Sequence, residues 1–153
     1  MHTDFDFLQG RWRVDHRRLD ARLVGATRWT EFAGTCEARP LLGGLANVDD
    51  NVLEIPGGTY RAVTLRAYHA VTDAWSIWWL DGRTPDRLDV PVVGRFVDGT
   101  GTFLADDVYE GRPIKVRFTW TVDPLRPRWE QAFSPDGGAT WETNWQMQFT
   151  RAD

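Results

Sequence analysis

Short segments in which apolar and polar residues alternate recur along almost the whole chain, and turn-forming residues separate them. The alternation is clear between residues 114 and 122, where Ile114, Val116, Phe118 and Trp120 fall on one face. A period of two puts successive side chains on opposite faces of a β-strand, so each segment predicts a strand with one buried face. Only residues 18–24 indicate one or two helical turns. The pattern therefore predicts an all-β fold.

Ten such segments have the length of common strands. The separators include Pro56-Gly57-Gly58, Asp98-Gly99 and Glu110-Gly111, which supply the backbone conformations of tight turns. Sequential strands joined by short turns pair antiparallel, and about ten of them close into a single up-and-down β-barrel without free edges. A two-sheet sandwich is the alternative. The predicted strands are 11–18, 28–39, 45–55, 59–70, 74–80, 92–97, 101–109, 114–122, 128–134 and 140–151.

Length and composition limit the possible classes of protein. The 153 residues suit one domain, 1–153. The single cysteine, Cys36, excludes an intramolecular disulfide and a cysteine-based zinc site, and the histidines lack the spacing of a metal site. The net charge of -4 argues against a nucleic-acid partner. Neither a signal peptide nor a membrane-spanning apolar run is found, which predicts a cytoplasmic protein; a homodimer is one possible oligomeric state.

Motifs at the two ends of the chain suggest a family. Gly10-Arg11-Trp12 opens the first predicted strand, and Phe149-Thr150-Arg151 ends the last one. This pairing resembles the calycin superfamily of lipocalins and fatty-acid-binding proteins. The resemblance implies that Trp12 closes one end of a barrel and that Arg151 packs over it. An arginine stacked on a tryptophan gains a cation–π contact.

Further motifs extend the resemblance over nearly the whole chain. They are Pro40-Leu41-Leu42-Gly43-Gly44, Gly94-Arg95-Phe96, 113–118 and 134–142. With them the chain looks like a bacterial lipocalin-like family of unknown function, which implies a barrel with a cavity and no particular activity. The last predicted strand lacks the tyrosine of the Arg-x-Tyr motif of fatty-acid carriers. No histidine follows His69, so the axial haem ligand of nitrobindin-like barrels is missing, and no cofactor is predicted.

Inward-facing aromatic residues predict a ligand pocket inside the barrel. Apolar pockets with a few convergent polar groups are the usual sites for small molecules, so the expected ligand is a small hydrophobic or aromatic molecule. A barrel filled solidly by these side chains would contradict the hypothesis. The predicted wall is Trp79, Trp120, Trp129, Trp145, Met147 and Phe149, and the predicted polar contacts are His16, Arg66 and Gln131.

Two other functions remain open at this stage. The first is an enzyme on the same scaffold, an isomerase, cyclase or hydrolase, which a buried His16 beside Asp107 in an open pocket would favour. The second is an interaction protein with a packed interior, which an exposed patch at Trp75 or Trp78 would favour. No nucleophile elbow or phosphate-binding loop is present, so no catalytic residue is assigned.

Parity also assigns individual polar residues to a face. Asn47, Asp49 and Asn51 alternate with Val48 and Val52 and are therefore predicted to face solvent.

On the last predicted strand, the same reasoning places Trp141 inside and Asn144 outside. The preceding Ser134-x-Asp136-x-Gly138-x-Thr140-Trp141 matches an Asp-box once, which favours a hairpin turn over a propeller repeat.

Overall fold

Ten antiparallel strands close into a single up-and-down barrel in the computed structural model, which describes residues 1–152. Each strand pairs with its neighbours in the sequence, and the first strand pairs with the last. This confirms the predicted lipocalin/calycin-like barrel. The strands are β1 (Gly10–Leu19), β2 (Trp29–Leu41), β3 (Ala46–Leu53), β4 (Tyr60–His69), β5 (Ala74–Asp81), β6 (Val92–Val97), β7 (Thr100–Tyr109), β8 (Arg112–Thr121), β9 (Arg128–Ser134) and β10 (Glu142–Arg151).

Two of the hairpins show why the strands pair in sequence. The turns between β6 and β7 and between β7 and β8 have two residues each, Asp98-Gly99 and Glu110-Gly111, all with positive φ. This backbone matches the right-handed twist of the flanking strands, and glycine adopts it without strain. No helix of residues 1–152 has the length and apolarity needed to cross a membrane.

The N-terminal segment closes one end of the barrel. A short 3-10 helix, Asp6–Leu8, follows Phe5, and we call residues 5–8 the N-terminal plug. The Trp12 indole N–H donates to the Leu8 carbonyl over 2.8 Å. The Arg151 guanidinium lies 3.8 Å from the centre of the Trp12 ring, which is the arrangement that the calycin resemblance implies.

Two predictions of local structure are wrong. Residues 18–24 form no helical turn, because β1 continues to Leu19 and a bend follows in which Leu23 has a φ of 62°.

In β10 the pairing with β9 shifts between Thr143 and Trp145. This bulge reverses the parity, so that Asn144 is fully buried and Trp141 lies half-buried beneath the Arg117 guanidinium.

The Asp-box sequence forms a hairpin turn, as predicted. Asp136 accepts hydrogen bonds from the amide and hydroxyl of Thr140 and from the Ser134 hydroxyl, and Gly138 has a φ of 98°. These bonds to the carboxylate, first those from Thr140, lower the pKa of Asp136 to about 2. The motif thus has a structural explanation.

Candidate functional site

The end of the barrel opposite the N-terminal plug contains an open cavity of about 180 Å³, which we call the mouth cavity. Three of its residues, Trp79, Trp129 and Trp145, form what we call the tryptophan wall. The Trp145 ring meets the other two edge to face, with centroids 5.5 Å and 5.1 Å away. This geometry is the favoured one for aromatic pairs, because the positive edge of one ring faces the negative face of another.

The barrel interior below the mouth cavity is packed. Its remaining space is about 20 Å³, which holds roughly one water molecule, whereas the mouth cavity has room for roughly six. Trp120 and Phe149 fill this region with ring centroids 5.3 Å apart. A ligand pocket of useful size is therefore restricted to the mouth.

The predicted site residues divide between these two regions. Gln131 and the tryptophan wall line the mouth cavity. Arg66, Trp120, Met147 and Phe149 line the small space below it, where Trp79 and Trp129 also reach. His16 lines neither space. The role of each of these residues in ligand binding stays a prediction.

A buried hydrogen bond between two side-chain amides links β9 and β10 beside the mouth cavity. Gln131 donates from Nε2 to the Oδ1 atom of Asn144 over 2.8 Å. Asn144 is fully buried and its Nδ2 atom has no partner among the described residues. Sequence reasoning missed Asn144 because nothing in the local pattern marks the bulge that turns it inward.

His16 lies behind the tryptophan wall and positions one of its members. Its Nδ1 atom accepts a hydrogen bond of 3.0 Å from the Trp145 indole, and its ring stacks on Phe32 at 4.6 Å. Burial, and secondly the positive charge of Arg18, lower the pKa of His16 from 6.5 to about 3. The imidazole is therefore neutral at physiological pH, as its role of acceptor requires. Within residues 1–152 it makes no hydrogen bond to Asp107 or another carboxylate.

We expect His16 to make the folded protein lose stability as the pH falls below 6.5. The unfolded chain takes up a proton near pH 6.5 and the folded chain only near pH 3, so the unfolded state binds more protons within this window. The slope reaches up to about 1.4 kcal/mol per pH unit. Urea unfolding between pH 4.5 and 6.5 measures it. The slope should flatten in His16→Gln and persist in His69→Gln, an exposed site, and an unchanged slope in His16→Gln would contradict the assignment.

A buried ion pair holds the interior beneath the mouth. Arg66 on β4 donates to Asp49 at 2.7 Å and to the Asn47 side chain at 2.9 Å. Asn51 also donates to Asp49. The prediction that Asn47, Asp49 and Asn51 face solvent is therefore wrong: all three are buried. The guanidinium of Arg66 points into the barrel, and a buried charge needs this polar row as partners.

Arginines at the mouth were not recognised from the sequence. Arg18 and Arg22 both line the mouth cavity. The Arg18 guanidinium lies 4.1 Å from the Trp145 ring centre and donates to the Tyr60 hydroxyl over 2.7 Å. Arg22 lies 5.2 Å from the ring centre of Phe133. Arg22 belongs to an irregular segment without periodicity, so no sequence signal indicates its position.

The other side of the mouth cavity is acidic. Asp81, Asp89 and Asp107 line it, and Asp81 forms an ion pair with Arg83 at 2.8 Å. Burial, followed by the negative charges of Asp107 and Asp81, raises the pKa of Asp89. The mouth therefore has a cationic side at Arg18 and an acidic side across from it.

A larger groove of about 640 Å³ crosses the outer face of the barrel. Its side chains are mostly polar or charged, among them Asp15, Arg17, Glu31 and Glu130. The predicted site residues His16, Trp129 and Met147 also line this groove. Aromatic side chains are more numerous around the mouth cavity, so the mouth cavity fits a small apolar molecule better although it is smaller. Trp75, one of the two predicted patch residues, is buried, and Trp78 is half-buried.

Comparison with protein-family models and with curated proteins finds no match to this chain. Within residues 1–152, no group of three or more histidine, cysteine, aspartate or glutamate residues is placed to hold a metal ion.

Proposed function

We propose that this chain is a lipocalin-like binding protein that holds a small apolar or aromatic molecule in the mouth cavity. The observation that carries the proposal is the open cavity of about 180 Å³ under the tryptophan wall, above an interior that is packed. The volume fits about one aromatic ring with a small substituent, since a cavity of roughly 150 Å³ binds benzene. A long fatty acyl chain exceeds it.

The expected affinity follows from the area that such a ring buries. An aromatic side chain buries about 150–250 Å², which at roughly 25 cal/mol per Å² gives about 4–6 kcal/mol. Part of this is spent on immobilising the ligand. We therefore expect dissociation constants of about 1 mM, or somewhat tighter, for the simplest single-ring compounds.

A probe and a blocking variant test this proposal. p-Cresol should bind the wild-type protein, as measured by ligand-observed NMR and by calorimetry. Val116 lines the mouth cavity and is buried, so Val116→Phe should fill the cavity and weaken binding by at least about tenfold. Because the added ring occupies empty space, the variant should stay folded.

Val108→Phe is the matched control, since Val108 lies on neighbouring β7 with its side chain 63% exposed. It should bind p-cresol as the wild type does. No binding to the wild type would overturn the proposal, and full binding to Val116→Phe would place the ligand outside the mouth cavity.

A further inference from the structure

Three arginines line the mouth cavity, and two of them, Arg18 and Arg22, have no carboxylate partner. Arg66 is paired with Asp49, and Arg83 with Asp81. Within residues 1–152, no carboxylate oxygen lies within 4.0 Å of the Arg18 or Arg22 guanidinium. Their positive charges are therefore not neutralised locally.

Arg18 is held rigidly and still has unused hydrogen-bonding capacity. Its guanidinium lies 4.1 Å from the ring centre of Trp145 and 5.3 Å from that of Phe32, and one nitrogen donates to Tyr60. Its Nε atom is buried and has no partner among the described residues. A guanidinium fixed by aromatic contacts loses little entropy when it binds an anion.

Arg22 lies close enough to Arg18 for the two charges to interact. Burial, and secondly the charge of Arg18, lower the pKa of Arg22. The carboxylate that acts on it is that of Glu142, which already accepts a hydrogen bond of 2.7 Å from the Leu23 amide. An anion between the two guanidinium groups would relieve their repulsion and the loss of solvation.

We propose that Arg18 and Arg22 bind the carboxylate of a small aromatic acid whose ring occupies the mouth cavity against the tryptophan wall. Guanidinium groups bind carboxylates through paired, charge-assisted hydrogen bonds. The cavity volume limits the acid to about one ring. The acidic side of the mouth, at Asp89 and Asp107, repels the anion and so favours the orientation with the carboxylate at the arginines. This inference rests on the proposed binding function and specifies its ligand class.

Three probes of similar size and different charge test the inference: phenylacetate, its neutral amide phenylacetamide, and the cation phenethylamine. Calorimetry at pH 7.5 and 0.15 M NaCl, where distant charges are screened, should show the carboxylate binding about tenfold to a hundredfold more tightly than the amide. The amine should bind more weakly than the amide.

Arg18→Gln and Arg22→Gln should each remove most of the preference for phenylacetate over phenylacetamide. Arg22 lies in an irregular segment, so its replacement tests the proposal even if Arg18→Gln perturbs the packing against Trp145. Arg17→Gln is the matched control, because Arg17 is adjacent and its side chain is exposed on the outer face. It should keep the full preference.

The two proposals fail in different ways. Equal binding of phenylacetate and phenylacetamide, or tighter binding of phenethylamine, would overturn the carboxylate site and leave the binding function standing. If p-cresol binds and neither the acid nor the amide does, only the carboxylate site is wrong; if none of the three binds, both proposals are wrong. A preference that survives in both glutamine variants would place the anion elsewhere.

Discussion

Replacing Asp49 with asparagine is expected to lower the free energy of unfolding by about 3–5 kcal/mol, because Arg66 is left charged and unpaired inside the barrel. Both side chains are 3% exposed. Asp49 also accepts a hydrogen bond from Asn51 and one from the Thr64 amide. Asparagine keeps the size of the side chain and removes its charge, so the loss reports on the ion pair. Urea unfolding at pH 7, followed by tryptophan fluorescence, measures it.

The next residue along β3 supplies a matched control. Asp50 pairs with Arg61 at 3.0 Å on the surface, with side chains 57% and 66% exposed. Asp50→Asn should therefore change the stability by about 0–1 kcal/mol. The double variant Asp49→Leu/Arg66→Met removes both buried charges and should recover most of the loss. If Asp49→Asn costs no more than Asp50→Asn, the ion pair does not organise the interior.

The barrel could be predicted because alternation and turn chemistry are local properties of the sequence. The predicted strands agree with the observed ones to within two residues at each end. Alternation states which residues share a face, but it does not state which face is inside. At Asn47, Asp49 and Asn51 the apolar valines on the opposite face suggested that the polar row faces solvent. The charge of Arg66, on the neighbouring strand, reverses this assignment.

The candidate site was less predictable from the sequence. Strand alternation indicates which side chains share a face of the sheet, but it does not indicate how far along the barrel axis each one lies. Trp145 and Trp120 were both assigned to inward faces, yet the first lines the mouth cavity and the second the packed interior below it. The bulge at Thr143 changes the parity of β10 without a local signal. Arg22 reaches the mouth from an irregular segment, where periodicity predicts nothing.

Truncating Phe5 to alanine is expected to lower the free energy of unfolding by about 3–5 kcal/mol, because it leaves a cavity in the closed end of the barrel. Phe5 is 1% exposed, and its ring meets those of Trp75 and Phe96 at 4.9 Å. The Arg66 guanidinium lies 5.0 Å from the same ring. The plug and the buried ion pair are in contact, so the effects of Phe5→Ala and Asp49→Asn should not be additive. Denaturant unfolding of both single variants and the double variant measures this coupling.

Binding by Phe5→Ala separates the two ends of the barrel. Residues such as Trp120 and Phe149 pack between the plug and the mouth cavity, so the variant should bind p-cresol at the mouth with wild-type affinity while it remains folded. Leu125→Ala, at a side chain that is 78% exposed, should change neither stability beyond about 0.5 kcal/mol nor binding. If Phe5→Ala weakened p-cresol binding as much as Val116→Phe does, the closed end would help to shape the mouth. A packed interior that isolates the site from the plug would then be the wrong description of this barrel.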